Sequence, residues 1–259
     1  MKIPIYQADA FTDRLFGGNP AAVCPLASWL PDAVMQAIAM ENNLAETAFL
    51  VPRGGVTEIR WFTPALEINL CGHATLASAH VLFRHLGFQG DEILFSSKSG
   101  PLRAARSGDL ITLDFPAYEP TPIATPEALV RGLGRTPLET LRGRDILAVF
   151  GGEAEIAGLV PDFAAIGTLD CIGVIATARG DACDFVSRFF APRAGVPEDP
   201  VTGSAHTLLV PFWAKRLGKS KLHAIQVSPR RGELFCELRG DRVLMGGRAV
   251  TYMKGEIEI

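Results

Sequence analysis

Four short segments of this chain occur twice, in the same order and at nearly the same spacing. Arg60-Trp61-Phe62-Thr63-Pro64 returns as Arg188-Phe189-Phe190-Ala191-Pro192, and Cys71-Gly72-His73-Ala74 returns as Thr202-Gly203-Ser204-Ala205. Further on, Ser99-Gly100-Pro101-Leu102 matches Arg231-Gly232-Glu233-Leu234, while Ser107-Gly108-Asp109 matches Arg239-Gly240-Asp241. The offsets are 128, 131, 132 and 132 residues, about half of the 259 present. A chain duplicated in this way has to build two units of like design, each with strands and one long helix. The proline-rich stretch Pro116-Ala117-Tyr118-Glu119-Pro120-Thr121-Pro122 marks the expected join.

Local pattern fills in the elements. Residues 3 to 9 and Ala21 to Cys24 read as strands around a glycine-containing turn. Pro31 suits the first turn of a helix whose apolar positions, Val34, Met35, Ile38 and Ala39, recur at three and four until Asn42-Asn43 closes it. Leu44 to Val51 has strand character but carries one carboxylate, Glu46, at its entrance. A strand over Ile59 to Thr63 leads into a helix from about 74 to 86, and hairpins follow near 93–106 and 110–115. The stretch 139 to 170 carries no motif.

Within the second copy, Asp199-Pro200-Val201-Thr202-Gly203-Ser204-Ala205-His206 runs from a carboxylate through a small-residue turn into a helix expected over 205–215. Thr and Ser are ordinary helix N-caps, and that is the bland reading. The functional reading is that a carboxylate, hydroxyls and free backbone N–H groups converge where a helix begins, which favours an anion. The repeat tips the balance. It predicts that the two helix starts face each other, so that both positive ends serve one carboxylate, with Gly72 and Gly203 allowing close backbone approach.

Composition removes other classes. Hydrophobic residues make up 48% and charged residues 20%, and 25 basic against 28 acidic side chains give a net charge of −3 without aromatic-laced basic clusters. Nucleic acid is therefore not expected as a partner. No apolar run approaches the roughly 18 residues of a membrane helix, and polar residues come too soon after Met1 for a secretory h-region, so a cytoplasmic protein is expected. Five cysteines without a C-x-x-C pair read as reduced thiols, and the histidine spacing suggests no metal. Nucleotide-binding glycine motifs are absent, so no cofactor is expected.

Taken together, Asp9-Ala10-Phe11, Gly18-Asn19-Pro20, Glu46-Thr47-Ala48, Cys71-Gly72-His73-Ala74 and Asp199-Pro200-Val201-Thr202-Gly203-Ser204 resemble the phenazine-biosynthesis PhzF family over essentially the whole chain. The resemblance implies an α+β fold of two pseudo-symmetric diaminopimelate epimerase-like domains, each a mixed sheet wrapped round a long central helix. It places the first domain at 1–117, joined by a last strand near 250–259, and the second at 118–249. It implies Glu46, His73 and Asp199 as catalytic residues, with Gly72, Gly203, Ser204, Thr202 and Cys71 binding substrate. It also implies a homodimer.

The chemistry follows from a clamped carboxylate. Donors that hold a small acid also stabilise charge developing at the neighbouring carbon, so one base suffices without a cofactor. Glu46 would remove a proton and return it elsewhere in a conjugated system, moving a double bond. Related epimerases and proline racemases use two thiols, or a thiol and a Thr, where this chain has Cys71 and Thr202. A cysteine-dependent racemase, epimerase or dehydratase is therefore the alternative, and a non-catalytic metabolite-binding protein the third reading.

Overall fold

The computed structural model describes residues 1–259, which form two compact units: Met1–Asp114 with Gly246–Ile259, and Phe115–Met245. In chain order the first unit contains β1 (Lys2–Ala10), β2 (Asn19–Pro25), α1 (Asp32–Asn42), β3 (Glu46–Arg53), β4 (Val56–Phe62), β5 (Glu67–Ile68), α2 (Gly72–Arg84), β6 (Glu92–Ser97), β7 (Gly100–Ser107) and β8 (Leu110–Pro116). The second contains β9 (Thr121–Pro122), α3 (Glu127–Leu133), β10 (Glu139–Arg142), β11 (Ile146–Val149), α4 (Glu153–Ala157), α5 (Phe163–Ile166), β12 (Val174–Arg179) and β13 (Phe185–Ala191). It continues with a 3-10 turn at Pro192–Ala194, β14 (Val196–Asp199), α6 (Gly203–Leu217), β15 (Lys221–Gln226), β16 (Gly232–Arg239) and β17 (Arg242–Gly247). β18 (Ala249–Glu258) returns to the first unit and pairs antiparallel with β1 from Lys2↔Glu258 to Ala10↔Ala249.

The duplication is visible in the strand ladders of each unit. In the first, β1 and β2 are antiparallel, β2 and β3 parallel, β3 and β4 antiparallel, β4 and β6 parallel, and β6 and β7 antiparallel. In the second, β10 and β11, β11 and β12, β12 and β13, β13 and β15, and β15 and β16 reproduce that sequence of directions. Each unit is thus a mixed sheet around its own helix, the α+β design of the diaminopimelate epimerase-like fold. The stretch 139–170, which offered no sequence motif, supplies β10, β11, α4 and α5.

The central helices are buried on nearly every side, as helices that are apolar all round must be. In α2 the buried positions include Ala74, Thr75, Leu76, Ala77, Ser78, Ala79 and Val81, small enough for strands to close in around it. α6 starts two residues earlier than its apolar pattern suggests and runs through Pro211 to Leu217. Proline cannot donate to the carbonyl four residues back, and that carbonyl, on Thr207, accepts instead from the Tyr118 amide at 3.0 Å. By contrast α1 is amphipathic, burying Met35, Ile38 and Ala39, and ends at a left-handed Asn43 with φ 48°.

One side-chain device is duplicated with the backbone. Arg60 on β4 donates from Nε and Nη2 to the two carboxylate oxygens of Glu67 on β5, each at 2.8 Å. Arg188 on β13 does the same to Glu198 on β14 at 2.7 and 2.8 Å. Each guanidinium also lies over a phenylalanine ring, Phe62 at 5.2 Å and Phe190 at 5.0 Å. Both glutamates stand five residues before the glycine that opens α2 or α6. A planar, bidentate pair is rigid, so each fork fixes the segment that delivers the chain to a helix start. No helix is long and apolar enough to cross a membrane.

Candidate active site

Glu46 is the first residue of β3, where β3 runs parallel to β2 with Ala21 opposite it. His73 is the second residue of α2, and Cys71 is that helix's N-cap residue in extended conformation, φ −144° and ψ 114°. These positions bring His73 Nε2 to 2.9 Å from Glu46 Oε2 and Cys71 Sγ to 3.5 Å from His73 Nδ1. Asn19, at the start of β2, places its side-chain amide 3.1 Å from His73 Nδ1. The Glu46 and His73 side chains are only 14% and 6% exposed, and Glu46 Oε2 makes no aligned hydrogen bond. One oxygen of the carboxylate is therefore enclosed against the imidazole, while the side chain as a whole keeps a small exposed fraction.

Burial opposes charge on His73, but the facing Cys71 and Glu46 more than offset it and hold the imidazole well above its usual value. Burial, reinforced by the Glu46 charge, pushes the Cys71 thiol up to about 11, which makes it a poor nucleophile at neutral pH. The N-cap carbonyl of Cys71 is held from within the helix by Thr75 Oγ1 at 2.5 Å, and no side chain caps the first turn. With the Ala74 amide on Cys71 and the Thr75 amide on the Cys71 carbonyl, the N–H groups of Gly72 and His73 are the ones a ligand would meet. Donor atoms of Glu46, Cys71 and His73 lie within 4.8 Å of one another, the combination of oxygen, sulfur and nitrogen that zinc accepts, so this trio is also the place where a metal ion could sit.

In the second unit the octapeptide forms a closed turn. Thr202, the N-cap residue of α6, donates from Oγ1 to Asp199 Oδ2 at 2.5 Å instead of capping the helix. Gln226 at the end of β15 accepts from the Thr202 amide at 2.9 Å and donates to the Asp199 carbonyl at 2.7 Å. Ser228 Oγ donates to the Pro200 carbonyl at 2.7 Å. Ser204 Oγ accepts from Arg144 Nη2 at 2.8 Å. The structure thus joins Glu46, His73 and Cys71 in one unit, and Asp199 with Thr202 in the other, where Ser204 sits at the helix start on Arg144.

Three contributors were not legible as site residues. Asn19 lies 54 positions from His73, and Gln226 lies 24 from Thr202. Asn19 belongs to the Gly18-Asn19-Pro20 segment that carries the family resemblance, without a role attached to it, and Arg144 follows Gly143, where a Cβ would fall 2.4 Å from Leu208 Cδ2 on α6.

His206 is structural. Its Nδ1 donates to the Thr202 carbonyl at 2.8 Å, and its Nε2 is buried without a partner. Burial lowers its pKa to about 4, and burial with neighbouring His85 and Arg84 lowers that of His80 to about 4. Between roughly pH 6.5 and 4 the unfolded chain binds protons that the native chain excludes, so stability falls as pH drops through that window. The expected loss is on the order of 3 kcal/mol per imidazole across the full window. Urea titrations at pH 7 and 4.5 should show the midpoint fall, and His206→Gln should shrink the difference.

The sequence model of the PhzC-PhzF family, phenazine biosynthesis-like protein, matches residues 8–255. A Pseudomonas aeruginosa protein described as an uncharacterized isomerase is 52% identical over 259 residues, covering 100% of both chains. The crystal structure of a PhzF-family phenazine biosynthesis protein from Enterococcus faecalis superposes with a TM-score of 0.99 at 48% identity, again covering 100% of both. A probable proline racemase from Agrobacterium radiobacter shares the fold alone, with a TM-score of 0.67 at 12% identity over 99% of this chain and 93% of that one.

Proposed function

The chain belongs to the PhzC-PhzF family of phenazine biosynthesis-like proteins and is an isomerase, and from that premise we propose that it moves a proton and a double bond in a small carboxylic acid without a cofactor. The observation that carries the reading is the largely buried Glu46 carboxylate, 14% exposed, with Oε2 2.9 Å from His73 Nε2 at the start of α2. Glu46 takes the proton from the carbon next to the substrate's electron-withdrawing group and returns it to a second carbon of the conjugated system. His73, whose pKa is raised beside Glu46 and whose Nδ1 lies 3.1 Å from the Asn19 side-chain amide, is placed to donate to the negative charge that builds in between. The uncapped N–H groups at Gly72 and His73 favour the substrate's carboxylate.

Asp199, Thr202, Gly203 and Ser204 are assigned to the same substrate on the strength of the repeat and the family resemblance, with Asp199 as a further proton carrier. The Thr202 hydroxyl keeps that carboxylate oriented. A cytoplasmic homodimer acting in a biosynthetic step belongs to the same reading. The thiol alternative is disfavoured because burial holds Cys71 protonated at neutral pH. The test is proton–deuterium exchange in heavy water across a panel of small unsaturated and amino acids, read by mass spectrometry. Solvent deuterium should enter an unsaturated acid at a carbon within its conjugated system. Exchange confined to the α-carbon of amino acids and abolished by thiol alkylation would select the racemase mechanism instead.

A further inference from the structure

The second unit holds a cavity of about 410 Å³ bounded by Arg142, Arg144, Asp170, Cys171, Ile172 and Arg193. The three guanidiniums come from three places in the chain: the end of β10, the turn before β11, and the 3-10 turn after β13. Their anchors orient them while leaving most of their N–H groups unspent. Arg193 Nη1 donates to the Leu169 carbonyl at 2.9 Å, and Arg142 Nη2 donates to the Asp170 carbonyl. Main-chain carbonyls fix direction without cancelling charge. Arg144 reaches Ser204 Oγ with Nη2, and its Nε lies 3.3 Å from Asp145 Oδ2.

The acids present do not neutralise this cluster. The Asp170 side chain is 96% exposed, 3.3 Å from Arg142 and 3.9 Å from Arg193, a geometry that water screens heavily. Asp145 is fully buried and also accepts from the Gly173 amide at 3.1 Å, and burial raises its pKa despite Arg144. Cys171, whose thiol burial likewise pushes up, lines the wall as a neutral group. Even with both acids ionised, three cations face two anions. Because Gly143 lets its turn press on Leu208, Arg144 is held at the first turn of the 15-residue helix α6, whose own N-terminal field has the same sign.

We propose that this cavity is an oxyanion site, taking a carboxylate or phosphate group of a small ligand on the guanidiniums of Arg142, Arg144 and Arg193, with Asp170 displaced into solvent. Arg144 is the residue that ties the anion to Ser204. The proposal deepens the functional reading only where it treats Ser204 as touching substrate: the substrate then bears an acidic arm selected by Arg144. Planar and tetrahedral oxyanions share this chemistry, and the choice of probe separates them.

The experiment is calorimetric titration of the intact protein with inorganic phosphate and with succinate at fixed ionic strength. Arg144→Gln should weaken the preferred probe about tenfold or more, since it removes a bidentate, charge-assisted partner. Asp170→Asn should tighten it by about threefold, because an exposed competing carboxylate is lost. Arg106→Gln, in the first unit, should leave it unchanged, and melting curves verify that each variant folds. Preference for phosphate assigns a phosphate group, and preference for succinate assigns a carboxylate arm. Equal affinity of the parent and Arg144→Gln, weakening by Asp170→Asn, or equal weakening by Arg106→Gln would overturn the site. Binding is read without turnover, so a parent that binds either probe but shows no proton exchange would sink the isomerase mechanism and leave this site standing.

Discussion

Replacing Glu46 by Gln should abolish proton exchange while leaving the fold and ligand binding largely in place. The substitution keeps the size of the side chain and its ability to contact His73 Nε2, now 2.9 Å from Glu46 Oε2, but removes the basic lone pair. General acid/base catalysis contributes roughly a hundred- to ten-thousand-fold, and the exchange rate should fall by that order. It should also uncouple His73. Without the carboxylate, burial is no longer offset in the same way and the imidazole should titrate lower, which histidine NMR shifts would report. Cys71→Ala should cost far less, since that thiol is neutral at pH 7. An active Glu46→Gln protein beside an inactive Cys71→Ala protein would reverse the two roles.

The largest effect on stability should come from Glu198→Ala. The variant leaves the Arg188 guanidinium, 10% exposed in its side chain, without the carboxylate that takes its Nε and Nη2. The carbonyls of Ile156 and Leu159, which accept from Nη1, cannot neutralise it. Breaking a buried pair by deleting one partner costs about 3–5 kcal/mol. For a chain of this size that corresponds to a melting point lower by roughly 10 °C. The equivalent change in the first unit, Glu67→Ala, should cost less because Arg60 retains Asp32 at 2.9 Å. Joint replacement of Arg188 and Glu198 by Met should recover much of the loss, since apolar side chains of similar volume leave no stranded charge. Thermal melts of the three variants beside the parent would settle the ranking, and a Glu198→Ala protein melting with the parent would mean that the fork carries no net weight.

These two residues also mark how far a single sequence could be read. The repeat exposed Arg60 and Arg188 because both lie in matched strand segments, but their partners are hidden: Glu67 and Glu198 fall where the text of the copies has diverged. The elements that place chemistry were legible, since Glu46 at a strand entrance and Gly72-His73 at a helix start are local patterns. What is not local was lost. Asn19 and Gln226 act through contacts set by the strand ladders, and nothing in their neighbourhoods announces the partner. Arg144 lay in a segment without a motif, and the glycine before it gains meaning only once Leu208 is seen against it. The hydroxyl of Thr202 shows the opposite case, a strong local signal for a helix cap that tertiary structure redirects to Asp199.

The pairing of β1 with β18 makes the first unit discontinuous: the whole second unit is inserted between β8 and the strand that completes β1. Closing that ladder joins residues separated by nearly the length of the chain, and loop-closure entropy is met before any of its hydrogen bonds can form. The ladders that join β10 to β13, β15 and β16 span far shorter separations, all within 139–239. Topology therefore sets an order of assembly in which those ladders can form while β1 waits with one edge unpaired. Until β18 arrives, that edge is an open template for strands of other molecules, so the interval before closure is when this protein is most exposed to aggregation.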